Sequence, residues 1–247
     1  MNREEAVLRE LNLYPLWQRR GGAVAASASP QQAPAAEPPL AAQPVEMAAG
    51  MGAADPAAER KSVISQLPWP ELKTMVRDCT ACRLRAGCTQ TVFGVGDEKA
   101  DWLFIGEGPG ADEDAKGEPF VGQAGKLLDN MLLAIKLKRG SNVYIANIVK
   151  CRPPNNRTPE ADEIATCIPY LHRQIALIQP KIIVALGKTA ATSLLGRDAA
   201  LGSLRGTVHD FQGTPLIITY HPAYLLRTPA DKAKAWEDLR LAVKTKG

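Results

Sequence analysis

The sequence lacks any apolar run near the roughly 20 residues that a membrane-spanning helix requires. Its first twenty residues mix acids with bases and lack the apolar centre of a signal peptide, so we expect a soluble, non-exported protein. It also lacks the even number of cysteines that complete pairing in disulfides would require. The five that are present fit a reduced compartment better than a disulfide framework, so their spacing is best tested as metal ligation.

Residues 21–58 contain no lysine or arginine, while 15 of these 38 residues are alanine and six are proline. Such a segment cannot build a core, and we predict a disordered linker over residues 21–60. Residues 1–20 have the spacing of a short amphipathic helix. It is either a docking peptide for a protein partner or a helix that packs on the domain over 61–247.

The charge is unevenly distributed along the chain. Residues 1–60 carry a net charge of −2 and residues 61–247 carry +6. A positive excess on the folded part is compatible with a polyanionic partner such as DNA, but many metabolic enzymes have the same balance.

Strand-like runs alternate with helical patterns after residue 61. Strands are predicted over 102–105, 143–149, 181–186, 207–211 and 216–220, and helices over 126–136, 158–178 and 229–244. Thr158 is the predicted cap of the second helix, with Pro159 at its first position. This alternation predicts an α/β fold: a three-layer α/β/α sandwich with a mainly parallel central sheet. The active site of such a sheet lies beyond the carboxyl ends of its strands.

Cys79 and Cys82 share a CxxC turn, and Cys151 and Cys167 follow much later with 15 residues between them. Four thiolates satisfy either a tetrahedral zinc ion or an iron–sulfur cluster. The loose second pair mildly favours a cluster, but the spacing alone leaves both open. For Cys88, a small and partly buried residue is the favoured interpretation, and an alternative ligand is the second one.

Two glycine motifs resemble nucleotide-binding turns. Gly106, Gly108 and Ala111 formally satisfy G-x-G-x-x-A, but Pro109 removes a backbone donor and three acids follow it. Leu186-Gly-Lys-Thr lacks the upstream glycine of a phosphate-binding loop. Both nucleotide interpretations are rejected, which leaves a turn whose backbone can approach a ligand closely.

Two further motifs lie near the predicted strand ends. Phe120 stands between glycines in GEPFVG, where a core role is the default interpretation of an aromatic residue. His221 directly follows a strand and precedes a loop that contains two leucines and Arg227. A lone histidine is usually structural, yet apolar side chains in such a loop can unstack a base of nucleic acid.

These motifs together resemble the family 4 uracil-DNA glycosylases, the iron–sulfur branch of their superfamily. The matching stretches, in order, are CTACRLRAGCTQTVFGVG (79–96), GEGPGADED (106–114), GEPFVGQAGKLL (117–128), VYIANIVKCRPPNNRTP (143–159) and TYHPAYLLR (219–227). The resemblance implies a monofunctional DNA repair enzyme that flips uracil out of single- or double-stranded DNA and releases it by hydrolysis. It also implies a [4Fe-4S] cluster held by Cys79, Cys82, Cys151 and Cys167.

The resemblance assigns roles to individual residues. Phe120 would stack on the flipped uracil, Asn147 would hydrogen-bond its edge, and His221 would donate to its O2 atom. Glu107 and the backbone of Gly108 would position or polarise the attacking water. The remaining implied contacts are Glu113 near uracil C5, Leu225, Leu226 and Arg227 in the loop that enters the duplex, and Arg152 and Arg157 near phosphates.

We accordingly expect a monomer that acts on nucleoid DNA in a bacterial cytoplasm. Two alternatives come from other functional classes. One is a zinc- or cluster-containing hydrolase of free nucleotides, and the other is a catalytically weak DNA-damage or polymerase-associated factor that docks through residues 1–20.

Overall fold

The computed structural model describes residues 55–247. The predicted N-terminal helix over 1–20 and the linker as far as residue 54 lie outside the described residues. Residues 56–60, which we assigned to the linker, instead belong to the first helix of the folded domain. The Asp55 side chain accepts a hydrogen bond from the Ala57 amide, and Pro56 occupies the first helical turn. These are strong signals for the start of a helix, so the linker prediction extended too far.

The described residues form α-helices and β-strands with the following bounds. The helices are α1 (Pro56–Gln66), α2 (Trp69–Arg77), α3 (Leu84–Gly87), α4 (Ala111–Lys116), α5 (Gln123–Ala134), α6 (Ala161–Ile178), α7 (Lys188–Leu195), α8 (Leu201–Leu204), α9 (Pro222–Arg227) and α10 (Lys232–Lys246). The strands are β1 (Val95–Gly96), β2 (Trp102–Gly106), β3 (Val143–Asn147), β4 (Ile182–Leu186), β5 (Val208–Phe211) and β6 (Thr214–Thr219).

The strands form one sheet in the order β1-β3-β2-β4-β6-β5. The four central strands, β3, β2, β4 and β6, run parallel, and the two edge strands are antiparallel to their neighbours. The edge strand β5 pairs antiparallel with β6, and the two form a hairpin. The mainly parallel sheet predicted from the sequence is therefore present, and its four central strands end at the same edge.

Alternate residues of the central strands enter two separate cores. On one face, Leu103 and Ile105 of β2 pack in a core with residues of α1, α2, α6 and α7. On the other face, Trp102 and Phe104 pack in a core with residues of α5 and α10. Burial on both faces explains why the sequences of these strands are continuous apolar runs. The predicted three-layer α/β/α sandwich is confirmed.

The predicted start of the long helix was wrong. Helix α6 begins at Ala161, after Glu160, and not beside Thr158 and Pro159. The Glu163 carboxylate accepts a hydrogen bond from the Glu160 amide at 2.8 Å and so satisfies a free donor of the first turn. The Glu160–Glu163 contact therefore marks the start of the helix, and Thr158 and Pro159 lie in the preceding loop.

Within residues 55–247, no helix is both long enough and apolar enough to cross a membrane.

Candidate active site and cysteine cavity

The carboxyl ends of the parallel strands surround one open cavity of about 950 Å³. Glu107 follows β2, Asn147 ends β3, Gly187 follows β4 and His221 lies two residues after β6. Gly108, Glu113, Phe120 and Arg227 also line this cavity. Residues that are up to 120 positions apart in the sequence thus meet where we predicted an active site.

Gly106, at the end of β2, is the contact point of two predicted site residues. A Cβ atom at this position would lie 2.5 Å from Asn147 Oδ1 and 2.6 Å from Phe120 Cζ. Both distances are shorter than van der Waals contact. Only glycine therefore lets the amide and the ring approach the strand together.

Phe120 has a backbone conformation that few residues other than glycine adopt, with φ of 56°. Arg139 donates hydrogen bonds to the carbonyl oxygens of Pro119 and Phe120, at 2.9 and 2.8 Å. A Cβ at Gly125 would lie 1.8 Å from the Phe120 carbonyl oxygen, so α5 can pack here only with glycine. The ring is therefore held by its surroundings and is 6% exposed.

Asn147 is 2% exposed and its Oδ1 atom has no hydrogen-bond partner among residues 55–247. Its backbone carbonyl accepts a hydrogen bond of 3.0 Å from the buried ammonium of Lys150. An unpaired buried acceptor is unfavourable by about 1–3 kcal/mol. Oδ1 is therefore available to a ligand that brings an N–H donor into the cavity.

His221 presents a neutral imidazole to the cavity. Its Nδ1 accepts a hydrogen bond of 3.2 Å from the Ala223 amide, so the proton is on Nε2. Burial, with a smaller contribution from Arg227, lowers the pKa of His221 to about 4. Its ring centroid lies 5.5 Å from that of Phe120. This histidine can donate a hydrogen bond from Nε2 at neutral pH, but it has no second proton to transfer.

The Glu113 carboxylate fastens the glycine-rich turn to the Phe120 loop. Its Oε2 accepts from the Gly110 amide at 3.1 Å, and its Oε1 accepts from the amides of Val121 and Gly122 at 2.9 and 3.0 Å. Three backbone donors therefore fix this side chain at the cavity wall.

Glu107 has a hydrogen-bond partner that was not predicted from the sequence. The hydroxyl of Thr189, on the first turn of α7, donates a short hydrogen bond to Glu107 Oε2. Thr189 belongs to the Leu186-Gly-Lys-Thr motif that we had rejected as a phosphate-binding loop. Its position just beyond β4, at the same sheet edge as Glu107, is a signal that could have identified it.

The loop that follows His221 forms α9, and its two leucines differ in exposure. Leu225 is buried at 1% exposure, whereas Leu226 is 44% exposed. The exposed Arg227 is held near the helix because its Nη1 donates to the Ala223 carbonyl at 3.0 Å. Leu226 is thus the leucine of this pair whose side chain is free to contact a partner.

The two arginines predicted to lie near phosphates have different surroundings. The Arg157 guanidinium lines the cavity and bonds the buried Glu163 carboxylate at 2.7 and 2.9 Å, which lowers the pKa of Glu163 to about 2. Arg152 is not among the described residues that line the cavity, and its Nε bonds Asn156 Oδ1 at 2.8 Å. The charge of Arg157 is already partly balanced, while that of Arg152 faces only an amide.

A second cavity brings together the four cysteines predicted as ligands. Its lining includes Cys79, Cys82, Cys151 and Cys167. The fifth cysteine, Cys88, does not belong to the described lining of this cavity, and its sulfur accepts from Arg85 Nη1 at 3.6 Å. All five cysteines are free of disulfide bonds.

Two cationic residues line the cysteine cavity. Arg60 Nη2 lies 3.9 Å from Cys79 Sγ, and the backbone amide of Lys150 donates to Cys167 Sγ at 3.3 Å. Burial raises the pKa of Cys167 to about 11 and raises the pKa of Cys151 as well. No three His, Cys, Asp or Glu side chains in residues 55–247 are arranged to hold a single metal ion.

Comparison with known proteins identifies the family to which this chain belongs. A family model described as the uracil DNA glycosylase superfamily matches residues 93–240, the segment that contains Glu107, Asn147 and His221. The chain belongs to the uracil DNA glycosylase superfamily. This match confirms the superfamily that the sequence motifs indicated.

Curated relatives narrow the group within the superfamily. The type-4 uracil-DNA glycosylase of Pyrobaculum aerophilum is 42% identical over 181 residues, covering 69% of this chain and 91% of the relative. That of Thermotoga maritima is 45% identical over 161 residues, or 64% and 83% of the two chains. That of Archaeoglobus fulgidus is 44% identical over 162 residues, or 62% and 81%. The chain is therefore a member of the type-4 group.

The neutral state of His221 leads to a pH prediction. We expect its imidazole not to titrate between about pH 5.5 and 8, where an ordinary histidine with a pKa near 6.5 would. The lowered pKa also determines the direction in which stability changes with pH. Between pH 6.5 and 4 the unfolded chain binds the proton and the folded chain does not, so the free energy of unfolding decreases as pH falls through this range.

The measurement is an NMR titration of the histidine ring signals, with the signal of His221 assigned by its loss in His221→Gln. A midpoint near 6.5 for that signal would contradict the assignment of a neutral, Nε2-protonated ring.

Proposed function

We propose that this protein removes uracil from DNA by hydrolysing its N-glycosidic bond, which leaves an abasic site. Membership of the type-4 group supports this activity. The observation in this chain that carries it is the buried Asn147 Oδ1, which lacks a partner among the described residues and lies beside Phe120 and His221 in an open cavity. Uracil offers what this arrangement lacks: a flat ring with an N–H group between two carbonyl oxygens.

For each contact with uracil we propose one residue of the cavity. Asn147 Oδ1 would accept from the uracil N3–H while its amide nitrogen donates to O4. The Phe120 ring would stack on the base, and such stacking is worth ~1–3 kcal/mol. That gain offsets part of the few kcal/mol needed to take a base out of its stack. Nε2–H of His221 would donate to O2.

Thymine differs from uracil by one methyl group at C5. Glu113 is fixed by three backbone amides at the wall formed by the glycine-rich turn and the Phe120 loop. A wall held this rigidly cannot move aside for a methyl group. We propose that Glu113 and this turn face C5 and disfavour thymine.

Cleavage of the glycosidic bond leaves positive charge on the sugar and negative charge on uracil. Donors aimed at the place where charge develops are the strongest catalytic contribution in such a site. Asn147 and His221 supply these donors to the departing uracil. Glu107, with the backbone of Gly108, orients and polarises the attacking water and faces the positive sugar. No covalent enzyme intermediate is needed.

The exposed Leu226 is proposed as the side chain that enters the duplex and fills the space of the flipped base. Arg227 follows it on the same exposed loop and would contact a phosphate. Arg152 would do the same beside the cysteine cavity, and Arg157, which Glu163 already pairs, would serve mainly to shape the loop.

We propose that Cys79, Cys82, Cys151 and Cys167 hold a [4Fe-4S] cluster. The shared cavity supports this, as do its cationic neighbours Arg60 and Lys150, because a cluster bound by four thiolates is anionic. The wide spacing between Cys151 and Cys167 also favours a cluster over a zinc ribbon, which usually has two tight CxxC turns. When bound, the cluster supplies a cross-link between the 79–82 turn and the 151–157 loop.

We also propose that the protein acts as a monomer, since every site residue named here comes from one chain. Its DNA substrate and its free cysteines fit action on nucleoid DNA in a bacterial cytoplasm. Residues 1–20 are proposed as a docking peptide for a protein partner.

The proposed activity predicts that the purified protein releases free uracil from uracil-containing oligonucleotides without an added cofactor. Asn147→Ala should lower the single-turnover rate by roughly 10²–10³-fold, because it removes a donor to the developing charge. Binding to DNA that holds an abasic site should change little, since no base occupies the cavity. No release from either single-stranded DNA or U·G duplexes would refute the activity, and release from free deoxyuridine would instead favour a nucleotide hydrolase.

The exposure of Leu226 predicts that its substitution affects excision from duplex DNA and from single-stranded DNA differently. Leu226→Ala should slow excision from duplex DNA by about tenfold while it leaves single-stranded substrate nearly unaffected, because only the duplex needs a wedge. Leu225→Ala serves as the control. Its side chain is buried, so its loss should lower stability and affect both substrates alike. Equal effects of Leu226→Ala on the two substrates would argue against a wedge.

The proposed cluster predicts a brown protein that contains about four irons and four acid-labile sulfides per chain. Cys167→Ser should lose this absorption and iron, whereas the matched variant Cys88→Ser should retain both. Metal analysis that finds zinc instead of iron, or loss of iron in Cys88→Ser, would exclude the proposed ligand set.

A further inference from the structure

Thr189 stands at the edge of the cavity without a role in the uracil contacts proposed above. Its hydroxyl donates to Glu107 Oε2, and the side chain of Glu107 makes no other hydrogen bond among residues 55–247. Both residues line the same cavity and both are partly exposed to it. The contact joins positions 82 residues apart.

The sheet topology explains why these two residues meet. Strands β2 and β4 are parallel neighbours, in register from Trp102 opposite Ile182 to Ile105 opposite Ala185. Glu107 and Thr189 therefore follow adjacent strands that end at the same level. Gly187, with φ of 92°, turns the chain from β4 into α7 and brings Thr189 across to Glu107.

We propose that Thr189 is a positioning residue for the hydrolytic step, holding the Glu107 carboxylate in the orientation that aligns the attacking water. This inference rests on the proposed function and on the role given there to Glu107. A hydroxyl that donates to a carboxylate makes a charge-assisted bond, about twice as strong as a neutral one. It fixes one carboxylate oxygen and leaves the other, Oε1, available to a water molecule in the cavity.

Without this bond, Glu107 would sample several rotamers of an unbranched, partly exposed side chain. A misplaced water-positioning group lowers the rate of the chemical step far more than it lowers affinity for DNA. Thr189 should therefore affect single-turnover excision and leave DNA binding unchanged. A residue that only supported the fold would affect both together.

The chain offers a matched control on the same helix. Thr192 lies one turn further along α7 and also lines the cavity. Among residues 55–247, its hydroxyl bonds only the Thr189 carbonyl, at 3.4 Å. Thr192→Val removes a hydroxyl from the same surface without touching Glu107. Thr189→Ser keeps the donor, and Thr189→Val replaces it with a methyl group of nearly the same size.

The experiment measures single-turnover uracil release and affinity for abasic-site DNA in the full-length, cluster-loaded protein. Thr189→Val should lower the rate by roughly 10- to 100-fold, the factor expected for a hydrogen bond to a charged group. Thr189→Ser should restore the rate to within a few-fold of the parent. Thr192→Val and the abasic-site affinity of all variants should stay at parental values.

Full activity of Thr189→Val, or equal losses in Thr189→Val and Thr189→Ser, would overturn the proposal. So would a matching loss in Thr192→Val. Visible absorption and thermal unfolding verify folding, and Thr189→Ala replaces Thr189→Val if that variant unfolds. An inactive parent protein would refute the proposed function itself, whereas an active parent with an active Thr189→Val refutes only the role of Thr189.

Discussion

The absence of a side chain at Gly106 is the constraint on which the cavity depends. The Asn147 amide and the Phe120 ring occupy the space that a Cβ would take at the end of β2. Phe120 can reach that place only through a left-handed backbone, which Arg139 and the glycine at 125 hold in position. The ring and the amide are therefore already in place, and in the proposed function little ordering would remain to oppose binding of a base.

The end of the neighbouring strand, β3, connects the two cavities. Within four residues, the chain passes from Asn147 in the open cavity to Cys151 in the cysteine cavity. Lys150 bridges them, since its backbone amide bonds Cys167 Sγ and its ammonium bonds the Asn147 carbonyl. Gln174 Oε1 accepts from the same ammonium at 2.6 Å. A group bound by the cysteines would thus stabilise the position of Asn147 without taking part in the chemistry.

The sequence predicted the layers of the fold and the residues at the strand ends, because continuous apolar runs and glycine turns are local signals. It did not predict that α6 begins at Ala161, because Thr158 and Pro159 are also a signal for a helix start. The structure shows that the Glu163 carboxylate caps the helix instead. It also missed Thr189 and Arg139. Their partners lie 82 and 19 residues away, and only the packed sheet and α5 bring them together. The exposure that separates Leu226 from Leu225 likewise required the three-dimensional structure.

The proposed hydrolysis would place its two kinds of charge in different parts of the cavity. Neutral donors lie at the end of β3 and after β6, where Asn147 and His221 would hold the departing uracil. A carboxylate lies after β2, where Glu107 would face the sugar. A protonated His221 would attract the uracil anion more strongly, but burial disfavours its charged form. Its Nδ1 is also committed to the Ala223 amide, so the ring has only the Nε2 proton to offer. Uracil would therefore depart as an anion held by hydrogen bonds, with no proton taken from the histidine.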